Sequence, residues 1–426
     1  METKICIVGL GYVGLPLACL ASNYFDVVGY DIDENKINQI NLNNCPLDDQ
    51  YTKEVFKIGK FKASSDQNVI KEANIIIICV PTPIDEKHHP NLIPLKSAIT
   101  TISKSINQND LIIIESTIYP GTTEEVLIPL LEQSGLQAGK DFGLAYCPER
   151  IDPGNQKWNL SNINRVLGGI DEKSVIKAKE FYSTFINSEI KILSSLRSAE
   201  AVKILENTFR DVNIAFINEM AKSFDNLNIN LIEVIEGAST KPFGFMPFYP
   251  GPGVGGHCIP VDPYYLIERA KQNGFDHNFL SLARKINNSM PEYVVNIVQD
   301  ELNKLGKSVR NSKIGILGYA YKKDVDDFRE SPAIQIVKKL NQKGAELSIY
   351  DPFVHSISGT NSITNLLEKS DYIVLLTNHS LFLEIEPNKF KENGIELIID
   401  CRNCLPKEKI IELGISYRGI GAKDKD

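Results

Sequence analysis

Lys4-Ile5-Cys6-Ile7-Val8-Gly9-Leu10-Gly11-Tyr12-Val13-Gly14-Leu15-Pro16 stands almost at the amino end of the chain, and its reading decides the fold. A short apolar run of strand character leads into glycines spaced G-x-G-x-x-G, and a helix-like run over 15–24 follows. Each glycine has a mechanical use: a tight turn at Gly9, backbone approach to a pyrophosphate at Gly11, and close helix-on-strand packing at Gly14. The helix start that follows Tyr12 and Val13 offers unpaired N–H groups to phosphate. Alone the spacing is a weak signal. Here the next apolar run, Val27–Asp31, ends on an acid. Asp31 is placed to accept hydrogen bonds from the adenosine ribose and to repel a 2′-phosphate, which predicts NAD rather than NADP. Asp33 is a rival, but Asp31 lies closer to the strand end.

Working outward, apolar runs alternate with amphipathic stretches up to about residue 195: Ile75–Pro81, Leu111–Thr117, Phe142–Cys147 and Val166–Ile170. Ile75-Ile76-Ile77-Ile78 is apolar on both faces, as a central strand covered by helices on both sides must be. From Leu196 to about Asn228 there is no Pro or Gly, and Val202, Leu205, Phe209, Phe216 and Met220 recur at helical spacing. After about Gly306 strand-like runs return: Lys313–Gly318, Glu346–Tyr350, Tyr372–Leu376 and Leu397–Asp400. The predicted architecture is α/β: two Rossmann-like doubly wound domains, 1–195 and 306–426, joined by an all-helical domain, 196–305, with a long connector helix. The second glycine turn, Gly315-Ile-Leu-Gly318, lacks the third glycine. It suits a mononucleotide or nucleotide sugar, with Lys322 near the phosphates, better than a second dinucleotide.

Composition bounds the function. The chain has 426 residues and a net charge of −8, with 42% hydrophobic and 23% charged residues. That balance argues against nucleic acid or an anionic membrane as the main partner. No apolar run reaches 18 residues, so no membrane span is predicted. The start shows no signal-peptide pattern, and scattered cysteines in so long a chain favour reduced thiols and a cytoplasmic home. Cys401 and Cys404 form a C-x-x-C with no second pair nearby, read as incidental rather than a zinc site; no metal is predicted.

The chemistry concentrates in Phe248-Tyr-Pro-Gly-Pro-Gly-Val-Gly-Gly-His-Cys-Ile-Pro-Val-Asp262. Glycines at 251, 253, 255 and 256 let the backbone approach a ligand closely. They deliver His257 and Cys258 from a loop, with Asp262 four residues on. A cysteine so placed is either a nucleophile toward an aldehyde or a buried packing residue, and spacing alone balances the two. Lys203 and Asn207 share one face of the connector helix, where a desolvated lysine beside an asparagine can serve an alkoxide or act as acid or base. Val80-Pro81-Thr82-Pro83 and Glu115-Ser116-Thr117 follow central strands, so Pro81, Thr82 and Thr117 face the ligand crevice. Pro148-Glu149-Arg150 adds a carboxylate at the same edge.

On these residues the chain resembles the UDP-glucose/GDP-mannose dehydrogenase family, and its bacterial and archaeal branch acting on UDP-N-acetylhexosamines most. The likeness covers essentially the whole chain. It is carried by GLGYVGLP (9–16), VPTP (80–83), EST (115–117), CPER (147–150), KILEN (203–207), GVGGHCIPVDPYYL (253–266) and GYAYKKDVDDFRESP (318–332). The resemblance implies Cys258 as nucleophile, with Lys203 and Asn207 binding the alkoxide and tetrahedral species. It implies Asp262 placing the water, and Thr117 and Glu149 completing the water and proton network. Lys322 and Arg402 would hold the sugar nucleotide, together with Arg150 and Gly255, and Arg329 would contact NAD. It implies pairing through the connector helix into a homodimer or higher homo-oligomer. Where relatives bring a partner-subunit arginine to the substrate, the nearest basic residue here is Lys241.

The implied reaction is a four-electron oxidation of the sugar's primary alcohol through a thiohemiacetal and thioester on Cys258. The IDPGN (151–155) and VPTPIDE (80–86) segments and the 318–332 stretch resemble UDP-N-acetylglucosamine enzymes most. UDP-N-acetylmannosamine, UDP-N-acetylgalactosamine and UDP-glucose are the alternatives. Val261, where UDP-glucose enzymes carry a lysine, leans away from the last. The implied products are uronic acids for capsules, O-antigens and other surface polysaccharides. The rival readings are a two-electron hydroxy-acid dehydrogenase and a non-catalytic NAD or nucleotide-sugar sensor.

Overall fold

A run such as Ile75–Ile78 has no face that tolerates water, and the chain buries it from both sides. The computed structural model describes residues 3–47, 49–85, 89–151, 155, 157–256 and 258–423. The chain divides into two compact units, Met1–Asn207 with Tyr264–Asp276, and Thr208–Pro263 with His277–Asp426. His257 of the glycine-rich loop, Glu86 of the 80–86 stretch and Asp152, Pro153 and Gly154 of the 151–155 stretch lie outside the described residues.

The first unit holds strands β1 (Lys4–Val8), β2 (Asp26–Tyr30), β3 (Lys62–Ser64), β4 (Ile75–Ile78), β5 (Leu111–Ile114), β6 (Gly143–Tyr146), β7 (Arg165–Gly169) and β8 (Ile190–Ile192). Their order in the sheet is β3-β2-β1-β4-β5-β6-β7-β8, so the first six strands follow the dinucleotide-binding arrangement. β4 and β5 are buried along their whole length. One strand breaks the expected parallel pattern: β7 pairs antiparallel to β6. The 147–164 connection contains no helix among its described residues, so the chain turns back where a parallel neighbour would need a crossover.

The second unit holds β9 (Lys313–Leu317), β10 (Glu346–Tyr350), β11 (Tyr372–Leu375), β12 (Leu397–Asp400) and β13 (Ser416–Gly419). They are parallel throughout, in the order β10-β9-β11-β12-β13, the other common doubly wound arrangement. Between the sheets the chain is helical, as expected, and its connector helix spans Leu196–Asn226. Its Ile217 and Ala221 join Met290, Val294 and Val298 of the helix Asn278–Lys304 in one core with the inner residues of β9, β11 and β12. Among the described residues, no helix is long and apolar enough to cross a membrane.

Candidate active site

Ligands of open α/β sheets collect where the strand order reverses, and both units place a glycine turn there. In the first unit Gly9 follows β1 with φ +94°, and a side chain on it would press on the Cys79 carbonyl after β4, 2.9 Å away. A Cβ at Gly14 would run into the Gly9 carbonyl, so the helix Gly14–Ala21 can lie this close to the turn only without one. At Gly11, by contrast, a Cβ would meet nothing within 4 Å. That open space beside a helix start fits the pyrophosphate of NAD.

Asp31 closes the cradle. Its Oδ2 accepts from the Leu10 N–H and from Lys36 Nζ, each at 2.8 Å, and its Oδ1 from the Asp33 N–H at 3.0 Å. Burial alone would push the carboxyl up, but Lys36 and the two N–H donors outweigh it and hold Asp31 below its ordinary value. Asp33, the rival acid, caps the helix Glu34–Asn41 instead. Lys36 was not singled out from the sequence. A lysine five residues past the acid points to it only once the turn brings the two together. Of the other cofactor candidates, Pro81 is exposed, Thr117 is half-buried and Thr82 is buried. The Thr82 carbonyl accepts from Tyr265 Oη at 2.6 Å.

Further along the same edge, Lys203 is buried on the connector helix with its ammonium 3.7 Å from Glu149 Oε2. Burial pushes Glu149 up to about 6, against the opposing pull of Lys203 and Arg165. A carboxyl tuned close to neutrality beside a buried ammonium is suited to general acid–base work. Asn207 is half-buried one turn along from Lys203. Arg150, expected at the substrate, is engaged elsewhere: it forms a two-pronged pair with Glu206, at 2.5 and 3.2 Å, and donates to the Asn164 carbonyl.

In the second unit Cys258 is exposed, the one exposed thiol among eight cysteines, none of which is in a disulfide. It sits in the turn that enters the helix Asp262–Gln272, and its carbonyl accepts from the Val261 and Asp262 N–H groups at 3.0 and 2.8 Å. Asp262 is buried at the helix start. The loop leading to the cysteine is held by a buried polar chain. The Gly251 N–H donates to Asn218, Asn218 donates to Asn287, and Asn287 and Arg284 both donate to Asp211.

The glycines of this loop face protein rather than an open ligand space. Side chains at 251 and 253 would meet Arg402 Nη1 and Pro332, and at 255 and 256 the Tyr321 side chain, at 2.7–3.1 Å. The Gly256 N–H also donates to the Arg329 carbonyl at 3.1 Å. The glycines therefore admit the 321–332 stretch and Arg402 against the cysteine loop. Lys322, next to Tyr321, is half-buried. Arg402 donates through Nε to the Leu376 carbonyl at 2.8 Å. Arg329, expected at NAD, is exposed and forms a two-pronged pair with Asp327.

The second glycine turn has its own acid, missed in the sequence. Asp351, one residue beyond β10, accepts from the Tyr319 and Ala320 N–H groups and from His379 Nε2 at 3.0 Å. It is fully buried, and its Oδ1 accepts from the Phe353 and Val354 N–H groups. Cys401 is likewise buried, and Cys404 lies with Sγ 3.8 Å from Asp400.

A dinucleotide cradle, a near-neutral carboxyl beside a buried lysine, an exposed cysteine on a braced loop and a second nucleotide-type sheet define an NAD-dependent oxidoreductase acting on a nucleotide-bearing substrate. The chain belongs to the UDP-glucose/GDP-mannose dehydrogenase family. The family's NAD-binding domain matches residues 3–186, its central domain 197–289 and its UDP-binding domain 315–407. The UDP-N-acetyl-D-mannosamine dehydrogenase of Pyrococcus horikoshii is 39% identical, over 99% of this chain and 100% of that protein. The UDP-N-acetyl-D-glucosamine 6-dehydrogenase of Salmonella typhi is 35% identical, over 96% and 98%. The solved structure of the Pyrococcus horikoshii enzyme matches with a TM-score of 0.91 over 98% of this chain and 99% of that one.

Proposed function

We propose that this protein oxidises the primary alcohol at carbon six of a UDP-N-acetylhexosamine to the carboxylate, using Cys258 as covalent catalyst. The exposure of this one thiol on a braced loop carries the reading, because a structural cysteine would be buried. Lys203 and Asn207 stabilise the alkoxide of the substrate and the oxyanions that follow, an effect often worth roughly 3–4 kcal/mol per donor. NAD supplies the hydride acceptor at both oxidations. Between them the Cys258 sulfur adds to the aldehyde carbon, and the resulting thiohemiacetal keeps the aldehyde from escaping. After the second oxidation Glu149 takes a proton from the water that attacks the thioester, with Thr117 and Asp262 ordering that water. The thiol leaves, and the uronic acid is released. Lys322 and Arg402 hold the diphosphate of the substrate.

The relatives favour the mannosamine epimer over the glucosamine epimer expected from the motifs, since the former name goes with 39% identity and the latter with 35%. UDP-N-acetylmannosamine is therefore the first substrate to assay in a panel of UDP-sugars. Two NADH per sugar support the scheme, and one NADH per sugar sinks it. Cys258→Ser should halt after aldehyde formation, whereas a sensor would bind its ligands unchanged. The exposed Leu205, Phe209 and Phe216 of the connector helix support a homodimer or higher homo-oligomer through that helix. Sedimentation of a Phe209→Glu, Phe216→Glu variant tests it, and an unchanged mass sinks it.

A further inference from the structure

Three buried residues of the first unit take no part in the chemistry above: Glu115, Arg165 and Tyr182. Arg165 opens β7 and is 1% exposed, as is Glu115 just past β5. The Arg165 Nη1 donates to Glu115 Oε1 at 3.1 Å and to Cys147 Sγ at 3.6 Å. Tyr182 donates to the same carboxylate oxygen, and the guanidinium lies 4.9 Å from the centre of its ring. An ion pair buried this deeply loses more to desolvation than its attraction commonly returns, so stability is a poor reason for it.

Topology supplies a better one. Because β7 runs antiparallel to β6, Ala145 stands opposite Gly169 and Tyr146 opposite Gly168. Beyond that register Arg165 Nη1 reaches Cys147 Sγ, the first residue after β6 and two before Glu149. The reversed strand thus delivers its first residue to the edge where Glu115 and Glu149 leave β5 and β6. Arg165 Nε and Nη2, Glu115 Oε2 and Glu149 Oε1 are all buried there with no hydrogen-bond partner among the described residues.

We propose that the Glu115–Arg165 pair is a positioning device for Glu149: a permanent cation, clamped by Glu115, that biases the proton occupancy of the base. The inference rests on Glu149 acting as the base for thioester hydrolysis and adds the residues that tune it. An arginine suits the task because it keeps its proton in any protein environment. Among the described residues, Lys203, with its ammonium 3.7 Å from Glu149, and Arg165 favour the ionised form of Glu149, and Glu115 opposes it. The nearby thiols Cys79 and Cys147 stay neutral, since burial pushes both up, Cys147 to about 11.

Opposite signs follow for the two partners. Glu149 works as a base when ionised, so kcat falls as pH drops through its titration. Arg165→Gln removes a favouring cation and moves that acid limb to higher pH. Glu115→Gln removes an opposing anion and moves it to lower pH. The expected displacements are about half to one pH unit, read as a roughly three- to tenfold change in kcat on the acid side of the limb, well below its midpoint. In the double variant they oppose each other, and the limb returns toward that of the parent. Arg165→Lys retains the charge and should keep the parent profile.

The test is a pH series of NADH formation from UDP-N-acetylmannosamine and NAD for all five proteins. If Arg165→Gln does not fold, Glu115→Gln and the double variant still decide the matter. Coincident acid limbs overturn the proposal, because a merely structural pair would lower the melting temperature and leave the limbs unmoved. Glu149→Gln separates the two layers. Full kcat in that variant removes Glu149 as the base and this inference with it. Loss of the limb there, with unmoved limbs in the Glu115 and Arg165 variants, removes only the inference.

Discussion

Gly256→Ala puts the placement of the thiol to a quantitative test. Gly256 has φ +90°, where an L-residue costs about 1–2 kcal/mol. The added methyl would stand 2.7 Å from the Tyr321 ring, well inside ordinary contact. The Gly256 N–H is tied to the Arg329 carbonyl and Gly251 to Asn218, so relief comes from a shift of the segment that carries Cys258. A misplacement of about 1 Å at a reacting group costs on the order of 10²-fold in rate, and kcat should fall by about that factor. The NAD cradle is built from other residues, Gly9, Gly14 and Asp31 with Leu10 and Lys36, so the affinity for NAD should stay within about twofold of the parent. NADH absorbance gives kcat, and calorimetric titration gives NAD affinity. Adding Tyr321→Ala should return part of the loss, since it removes the overlap but not the backbone strain. A kcat within twofold of the parent, or a parallel loss of NAD affinity, would refute the reasoning.

The other predictions concern single groups. Glu149→Gln should slow thioester hydrolysis by about 10²–10⁴-fold and leave a covalent adduct on Cys258 visible by intact mass. In the parent, the acid limb of kcat should have its midpoint near the value of about 6 to which burial pushes Glu149; a limb near 4 would contradict it. Asp31→Ser should raise KM for NAD and increase NADP use relative to NAD by at least about tenfold, since Lys36 loses its carboxylate partner and is left to meet a 2′-phosphate. An unchanged cofactor ratio counts against that cradle. Asn218→Ala strips the Gly251 N–H and Asn287 of a partner, at about 1–3 kcal/mol. That should appear as a drop of several degrees in the thermal midpoint.

The long elements were legible because their periodicity is strong. The two-faced runs of β1, β4, β5, β9, β11 and β12 and the Leu196–Asn226 helix match their expected places to within a few residues. The short strands β3, β8 and β13 leave no such signal in the sequence. They are sheet edges of three or four residues, too brief to show a period of two. The glycine turn and Asp31 could be read because dinucleotide binding imposes a fixed local spacing. Asp351 could not, because the turn it closes lacks that spacing.

For the site, local sequence marked which residues have reactive chemistry, since Cys258 on its glycine loop and the Lys203–Asn207 pair are set by neighbours in the chain. Their settings are another matter. Only the fold shows that the glycines at 255 and 256 admit Tyr321, that Arg329 and Arg150 are held by Asp327 and Glu206, and that Lys36 sits on Asp31. Burial pushes Glu149 up to about 6, and one reversed strand decides that Arg165 stands at that edge. Those properties depend on solvent exclusion and on contacts between residues far apart in the chain, and neither leaves a local pattern to read.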